Sequence, residues 1–173
     1  MNKLNLSLDT WIISDTHFNH DNIVRYCNRP LDHTEIMIDR WNRFVKDDDQ
    51  VLHLGDIILG KRDVAYRVLS LLKGEKFFIR GNHDRQTEEW YYEHGFTEIE
   101  PFFWWHGKAK VYFSHLPDMK ERWTINIHGH IHNNGYSEDT PRYDYRNVSV
   151  EVMDYRPARL KQVLDGVSYQ PRP

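Results

Sequence analysis

The sequence predicts a mixed, layered α/β fold, and three observations predict it. The first half repeats a short apolar run, a polar motif and an amphipathic segment, the order that parallel strands joined by helical crossovers require. The second half is rich in strand-like runs, which implies hairpins. Five motifs built from Asp, His and Asn each follow a predicted strand directly, at the carboxyl-end position where open sheets carry their sites.

Taken in order, Trp11 to Ser14 is a short apolar run stopped at Asp15, so it reads as a buried strand leading into a loop with Asp15 and His17. From Thr34 to Lys46, Met37, Ile38, Trp41, Phe44 and Val45 recur at helical spacing, with Thr34 placed to cap the start. Val51 to Leu54 is a second strand, stopped by Gly55 and Asp56. Val64, Val68, Leu69 and Leu72 mark a helix closed near Gly74. Phe77 to Ile79 is a third strand, broken at Gly81-Asn82-His83-Asp84, and a helix is expected over Gln86 to His94. Phe102 to His106 and Lys110 to Ser114 flank Gly107 as a hairpin whose second strand runs into His115. Trp123 to Ile127 is a further strand, ending in His128-Gly129-His130-Ile131-His132. The polar stretch 134–142 reads as a loop, Asn147 to Val152 alternates like a strand, and the tail from Pro157 has room for one short helix.

A chain of 173 residues with no linker, repeat or low-complexity segment is expected to form one domain over 1–173. Hydrophobic residues at 39% and charged residues at 28% place it among globular proteins, and a formal net charge of -3 argues against an extended nucleic-acid surface. Cys27 is the only cysteine, so an intrachain disulfide is excluded; with no membrane-length apolar run and no signal-like N-terminus, a cytoplasmic location is expected. The compositional oddity is eleven histidines, which matter only where they converge.

Two divalent ions roughly 3.5–4 Å apart can clamp the attacking and leaving oxygens of an in-line displacement at phosphorus. That arrangement needs a shared ligand, and a carboxylate suits it, having two oxygens and a charge that offsets repulsion between the cations. Asp15 and His17 are placed to face one ion, and Asp56, after a glycine, can approach closely enough to bridge. Imidazoles and an amide oxygen can complete such shells, and the mixed donor set accepts manganese, the first expectation, or iron, zinc, cobalt or nickel.

Asp15-x-His17, Gly55-Asp56, Gly81-Asn82-His83-Asp84, Ser114-His115 and Gly129-His130-x-His132 resemble, in order, the five motifs of the calcineurin-like metallophosphoesterases. The resemblance implies a double β-sandwich flanked by helices, an α-β-β-α layering with the metals between the sheet ends. It also implies one metal on Asp15, His17, Asp56 and His132, and a second on Asp56, Asn82, His115 and His130. A hydroxide bridging two divalent ions would be the nucleophile. His83 would steady the phosphoryl oxygens or protonate the leaving group, with Asp84 orienting its imidazole. Phe18-Asn19-His20-Asp21-Asn22-Ile23, Arg29-Pro30 and Asn147-Val148-Ser149-Val150-Glu151 look like a small prokaryotic and phage-borne branch of the same superfamily. The function expected is hydrolysis of phosphodiesters or phosphomonoesters, diesters slightly preferred, on a phosphorylated small molecule or nucleotide. A nucleotide pyrophosphohydrolase or nuclease would use the same site, and a catalytically silent scaffold would keep the fold without the chemistry.

Each motif taken alone also has a plainer reading as a turn, a cap or an incidental histidine. His20, Arg25 and Arg85 are candidates for substrate contact, against the simpler role of solvated surface groups. His33, His53, His94, His106 and His128 read as structural or surface residues. Phe102 to Trp105 could offer a stacking platform, but strand alternation favours core packing for half of them. Asp47-Asp48-Asp49 reads as a solvated connection.

Overall fold

The computed structural model describes residues 3–59, 62–118, 123–136 and 144–166. In chain order these form β1 (Trp11–Ile13), α1 (Ile23–Cys27), α2 (His33–Phe44), β2 (Gln50–His53), α3 (Arg62–Ser70), β3 (Glu75–Phe78), α4 (Glu88–Glu93) and β4 (Phe96–Glu98). They continue with β5 (Phe102–His106), β6 (Ala109–Phe113), β7 (Ile125–His128), β8 (Asp144–Asn147), β9 (Ala158–Arg159) and α5 (Leu160–Leu164). Two sheets result, ordered β4-β3-β2-β1-β9 and β5-β6-β7-β8, flanked by helices. The layered α/β architecture is therefore the one expected.

The apolar runs form strands because both of their faces are buried. Ile13, Val51 and Phe78 turn to the side where Met37 and Trp41 of α2, Leu69 of α3 and Tyr91 of α4 pack. Their neighbours Ile12, Leu52 and Phe77 turn the other way, against Val111, Phe113 and Ile127 of the second sheet. Successive residues point to opposite faces of a strand, so a strand buried on both sides reads as an unbroken apolar run. In β5, Phe102 and Trp104 pack against the inter-sheet core, while Phe103 and Trp105 are exposed.

Several expectations need correction. Thr34 does not cap α2; Asp32 occupies that position, and the Thr34 hydroxyl accepts from the backbone N–H of Asn19 at 3.1 Å, bracing the first loop. The second half is only partly hairpin: β5 and β6 are antiparallel, but β6–β7 and β7–β8 pair in parallel. The strand expected over Asn147 to Val152 lies earlier, as β8, which ends at Asn147; beyond it Ser149 bridges Ser14 just after β1, and the chain turns from Val150. Its alternation misled because Val148, Ser149, Val150 and Glu151 are all buried, so there is no solvent face. Helix α1 and strand β4, each only a few residues long, carried no periodic signal. Within the acidic run, Asp49 is not simply solvated: it accepts from Trp11 Nε1 at 2.8 Å and from the backbone of Lys46. Of the loop expected over 134–142, positions 137–142 lie outside the described residues.

Candidate metal centre

The parallel strands β1, β2 and β3 end at one edge, and the loops that leave them are stitched together by backbone. Asp15 N–H donates to Gly55 O, His17 N–H to Asp56 O and Phe18 N–H to Ile57 O, all at 2.9–3.0 Å. From the second sheet, β6 and β7 deliver His115 and Gly129, whose backbones bond at 3.0 Å. Gly55 is where backbone meets backbone: it has φ +94°, and a Cβ there would lie 2.5 Å from the backbone N of Gly81. No other residue lets the second and third loops approach so closely.

Two groups of ligand-type atoms converge across this edge. The first joins Asp15, His17 and His132; the second joins Asp56, His115 and His130. Asp15 turns Oδ2 to the hydroxyl of Ser149 and the backbone N–H of His130, leaving Oδ1 buried without a hydrogen-bond partner. Both ring nitrogens of His17 are likewise buried and unpartnered. His132 brings Nε2 to 3.9 Å from Asp15 Oδ1. In the second group, Asn82 Oδ1 lies 2.9 Å from both His115 Nε2 and His130 Nδ1. His115 spends its other nitrogen on the Leu54 carbonyl at 2.7 Å, which holds Nε2 toward the centre. Between the groups stands Asp56, with Oδ2 3.4 Å from His17 Nε2 and 3.5 Å from His115 Nε2.

Electrostatics marks the same atoms. Burial raises the carboxyls of Asp15 and Asp56 above their ordinary value, against the pull of His115 on each. Burial, aided by His132 and Arg29, drives the His17 imidazole far down; burial and His115 lower His130. Burial would lower His132 too, but contacts with Cys27 and Glu151, together with the Glu151 and Asp15 charges, carry it up to about 10. Buried carboxylates disfavoured as anions, beside the unpartnered imidazole of His17, form a donor set that a cation would satisfy. Divalent ions of borderline hardness fit it.

Backbone strain coincides with the site as well. Asp15, His17, Asp56, His130 and His132 all have positive φ, between 43° and 71°. Left-handed backbone is uncommon outside glycine, and such residues cluster where surrounding structure over-determines them.

The remaining candidates divide. His83 stands at the rim with its ring centroid 5.4 Å from that of His17, and its N–H donates to Asp56 Oδ1 at 2.8 Å. His20 also reaches His17, at 5.7 Å between centroids. Arg85 lines a cavity of about 120 Å³ with His83, Gln86 and Trp90, whereas Arg25 is exposed on α1 and is not brought to the site by any described contact. Asp84 differs from its expected role. Its carboxylate is filled by Asp56 N–H, Gly81 N–H, Ile57 N–H and the Tyr91 hydroxyl, so it ties the second loop to the third and does not orient His83. Ser149, Glu151 and Arg29 contact the site without having been singled out for a role; the segments Arg29-Pro30 and Asn147 to Glu151 held the signal.

Comparison with known proteins identifies the family. The model for the calcineurin-like phosphoesterase family matches residues 8–165. The uncharacterised protein MJ1445 of Methanocaldococcus jannaschii is 42% identical over 168 residues, covering 89% of this chain and 88% of that protein. The crystal structure of AQ665, a protein of unknown function from Aquifex aeolicus, is similar with a TM-score of 0.74 at 25% identity, covering 91% of this chain and 98% of that one. The nuclease MPE of Pseudomonas putida has a TM-score of 0.49 at 18% identity, over 72% of this chain and 62% of that one.

Proposed function

Because the chain belongs to the calcineurin-like phosphoesterase family, we propose that it hydrolyses phosphoric esters at a dinuclear centre bridged by Asp56. Asp15, His17, Asp56 and His132 would hold one divalent ion, and Asp56, Asn82, His115 and His130 the other. The observation that carries this reading is the position of Asp56 Oδ2, within 3.5 Å of an imidazole from each group. Divalent ions held there would supply Lewis-acid polarisation at phosphorus and acidify water toward neutral pH; manganese is the ion we expect.

The chain's own groups do the rest. Asn82 lies exposed at the rim, so a phosphoryl group has access to the edge where the loops meet. Water attacks phosphorus in line, and the bond to the leaving oxygen breaks. His83 is the group placed to give a proton to that oxygen, because its ring is half-buried, faces His17 and is not itself needed in either ligand group. Asp84 acts by tying the backbone of Gly81, just before His83, to that of Asp56 and Ile57. An open site favours phosphodiesters slightly over monoesters. A catalytically silent scaffold would not need to keep Asp15 Oδ1 and the His17 nitrogens buried without partners, since each such atom costs about 1–3 kcal/mol.

Activity on paired aryl monoester and diester substrates with added manganese, alongside calorimetric metal titration, tests the proposal. Asp56→Ala is expected to lose metal and activity together. His83→Ala is expected to keep metal while its turnover falls by about 10²–10⁴. Wild-type rates in both variants would refute the assignment.

A further inference from the structure

We propose that Glu151, locked in place by Arg29, is the positioning residue that holds His132 with Nε2 free to ligate the metal on the Asp15 and His17 side. This rests on the dinuclear reading and extends it to residues outside the ligand set. Glu151 Oε1 lies 3.0 Å from His132 Nδ1, so the ring donates Nδ1–H to the carboxylate and turns its other nitrogen toward Asp15 Oδ1. The same oxygen accepts from Arg29 Nε at 2.8 Å and lies 2.6 Å from one of its terminal nitrogens in an ion pair. Arg29 then spends its terminal nitrogens on the carbonyls of Asp15 and Thr16, each at 2.6 Å. One guanidinium therefore fastens the loop that carries Asp15 and His17 to the carboxylate that aims His132.

Both side chains of the pair are almost fully buried, at 0% and 3% exposure. A buried ion pair is poor value for stability alone, since desolvation offsets most of its attraction. Its geometry here matches the carboxylate–histidine pairing that fixes ring orientation and basicity in metal sites. Cys27 also lies with His132 and Glu151 in a cluster of ligand-type atoms. A cation seated there would face the Arg29 guanidinium, 2.6 Å from the carboxylate, so the charge arrangement favours the positioning role over another metal.

Manganese titration of wild type and Glu151→Gln by calorimetry, with turnover measured across manganese concentration, tests this. Wild type is expected to bind two ions. In Glu151→Gln one of them weakens about 10–100-fold, the other is unchanged, and turnover recovers at saturating manganese. Unaltered affinities with a lower melting temperature of the metal-free variant would assign Glu151 a purely structural role and overturn the proposal. Wild type that takes up no manganese would overturn the dinuclear reading, and this inference with it. Should Glu151→Gln not fold, nitrogen chemical shifts of the His132 ring in zinc-loaded wild type decide. A protonated Nδ1 and a ligated Nε2 are expected, and the opposite tautomer overturns the assignment.

Discussion

Buried imidazoles in this protein divide by what their ring nitrogens touch. His53 is satisfied on both sides: Nδ1 accepts from Gly55 N–H at 3.1 Å, and Nε2 lies 2.9 Å from the Thr16 hydroxyl, which donates onward to Ile57 O. His128 is satisfied by Gly129 O and the Tyr136 hydroxyl. His17, equally buried, has no hydrogen-bond partner on either ring nitrogen, and neither has His33; His17 differs in facing Asp56 Oδ2 at 3.4 Å and in converging with Asp15 and His132. The distinction has a pH consequence. Burial, then the His115 charge, pushes His53 down to about 3 from the ordinary 6.5. Above pH 6.5 neither folded nor unfolded chain protonates this group; as pH falls below 6.5 only the unfolded chain takes the proton, so folded stability declines toward pH 3. The stability advantage of metal-free wild type over His53→Gln should shrink by about 1.4 kcal/mol per pH unit between 6.5 and 4. Denaturant unfolding at several pH values measures it, and a constant difference would show that His53 already protonates in the folded chain.

The strands were legible because apolar runs such as Trp11 to Ile13 report burial on both faces, a property of the local sequence. The loops after them were legible only in residue type. Asp and His at positive φ give no periodic signal, and neither does Gly55 pressed against Gly81. Two glycines make the contrast measurable. Gly107, at φ +59° in the β5–β6 turn, has nothing within 4 Å of a would-be Cβ, whereas Gly55 would meet Gly81 N at 2.5 Å and His115 Nδ1 at 2.8 Å. Gly107→Ala should lower stability by about 1 kcal/mol and leave hydrolysis intact. Gly55→Ala should cost more and displace Asp56 and His115, so metal binding falls too. Thermal melts with manganese titration check both, and an active Gly55→Ala protein would mean that the loops can part without losing the centre.

Across the whole molecule, the site joins two sheets. Asp15, Asp56 and Asn82 follow strands of the first sheet and His115 and His130 those of the second, so on the proposed reading cations held between them would link the layers. Saturating manganese should therefore raise the melting temperature. At a hundredfold excess over Kd each ion contributes about 2.7 kcal/mol, or about 5–10 °C for a chain of this size. Asp56→Ala should remove most of that shift, as differential scanning calorimetry would reveal. A melting temperature indifferent to manganese would contradict a cage assembled from both sheets. Among the described residues no helix is long and apolar enough to cross a membrane.

The order of the motifs, their placement after strands and the residue types at the centre were all determined by the sequence itself. Each depends only on neighbours along the chain. Tertiary structure alone decided that Asp56 Oδ2 stands between His17 and His115, that Asp84 braces backbone, and that Arg29 meets Glu151 from 122 positions away. Hydrogen-bond partners at such separations depend on how the crossovers bring strand ends together, and local periodicity carries no record of that geometry.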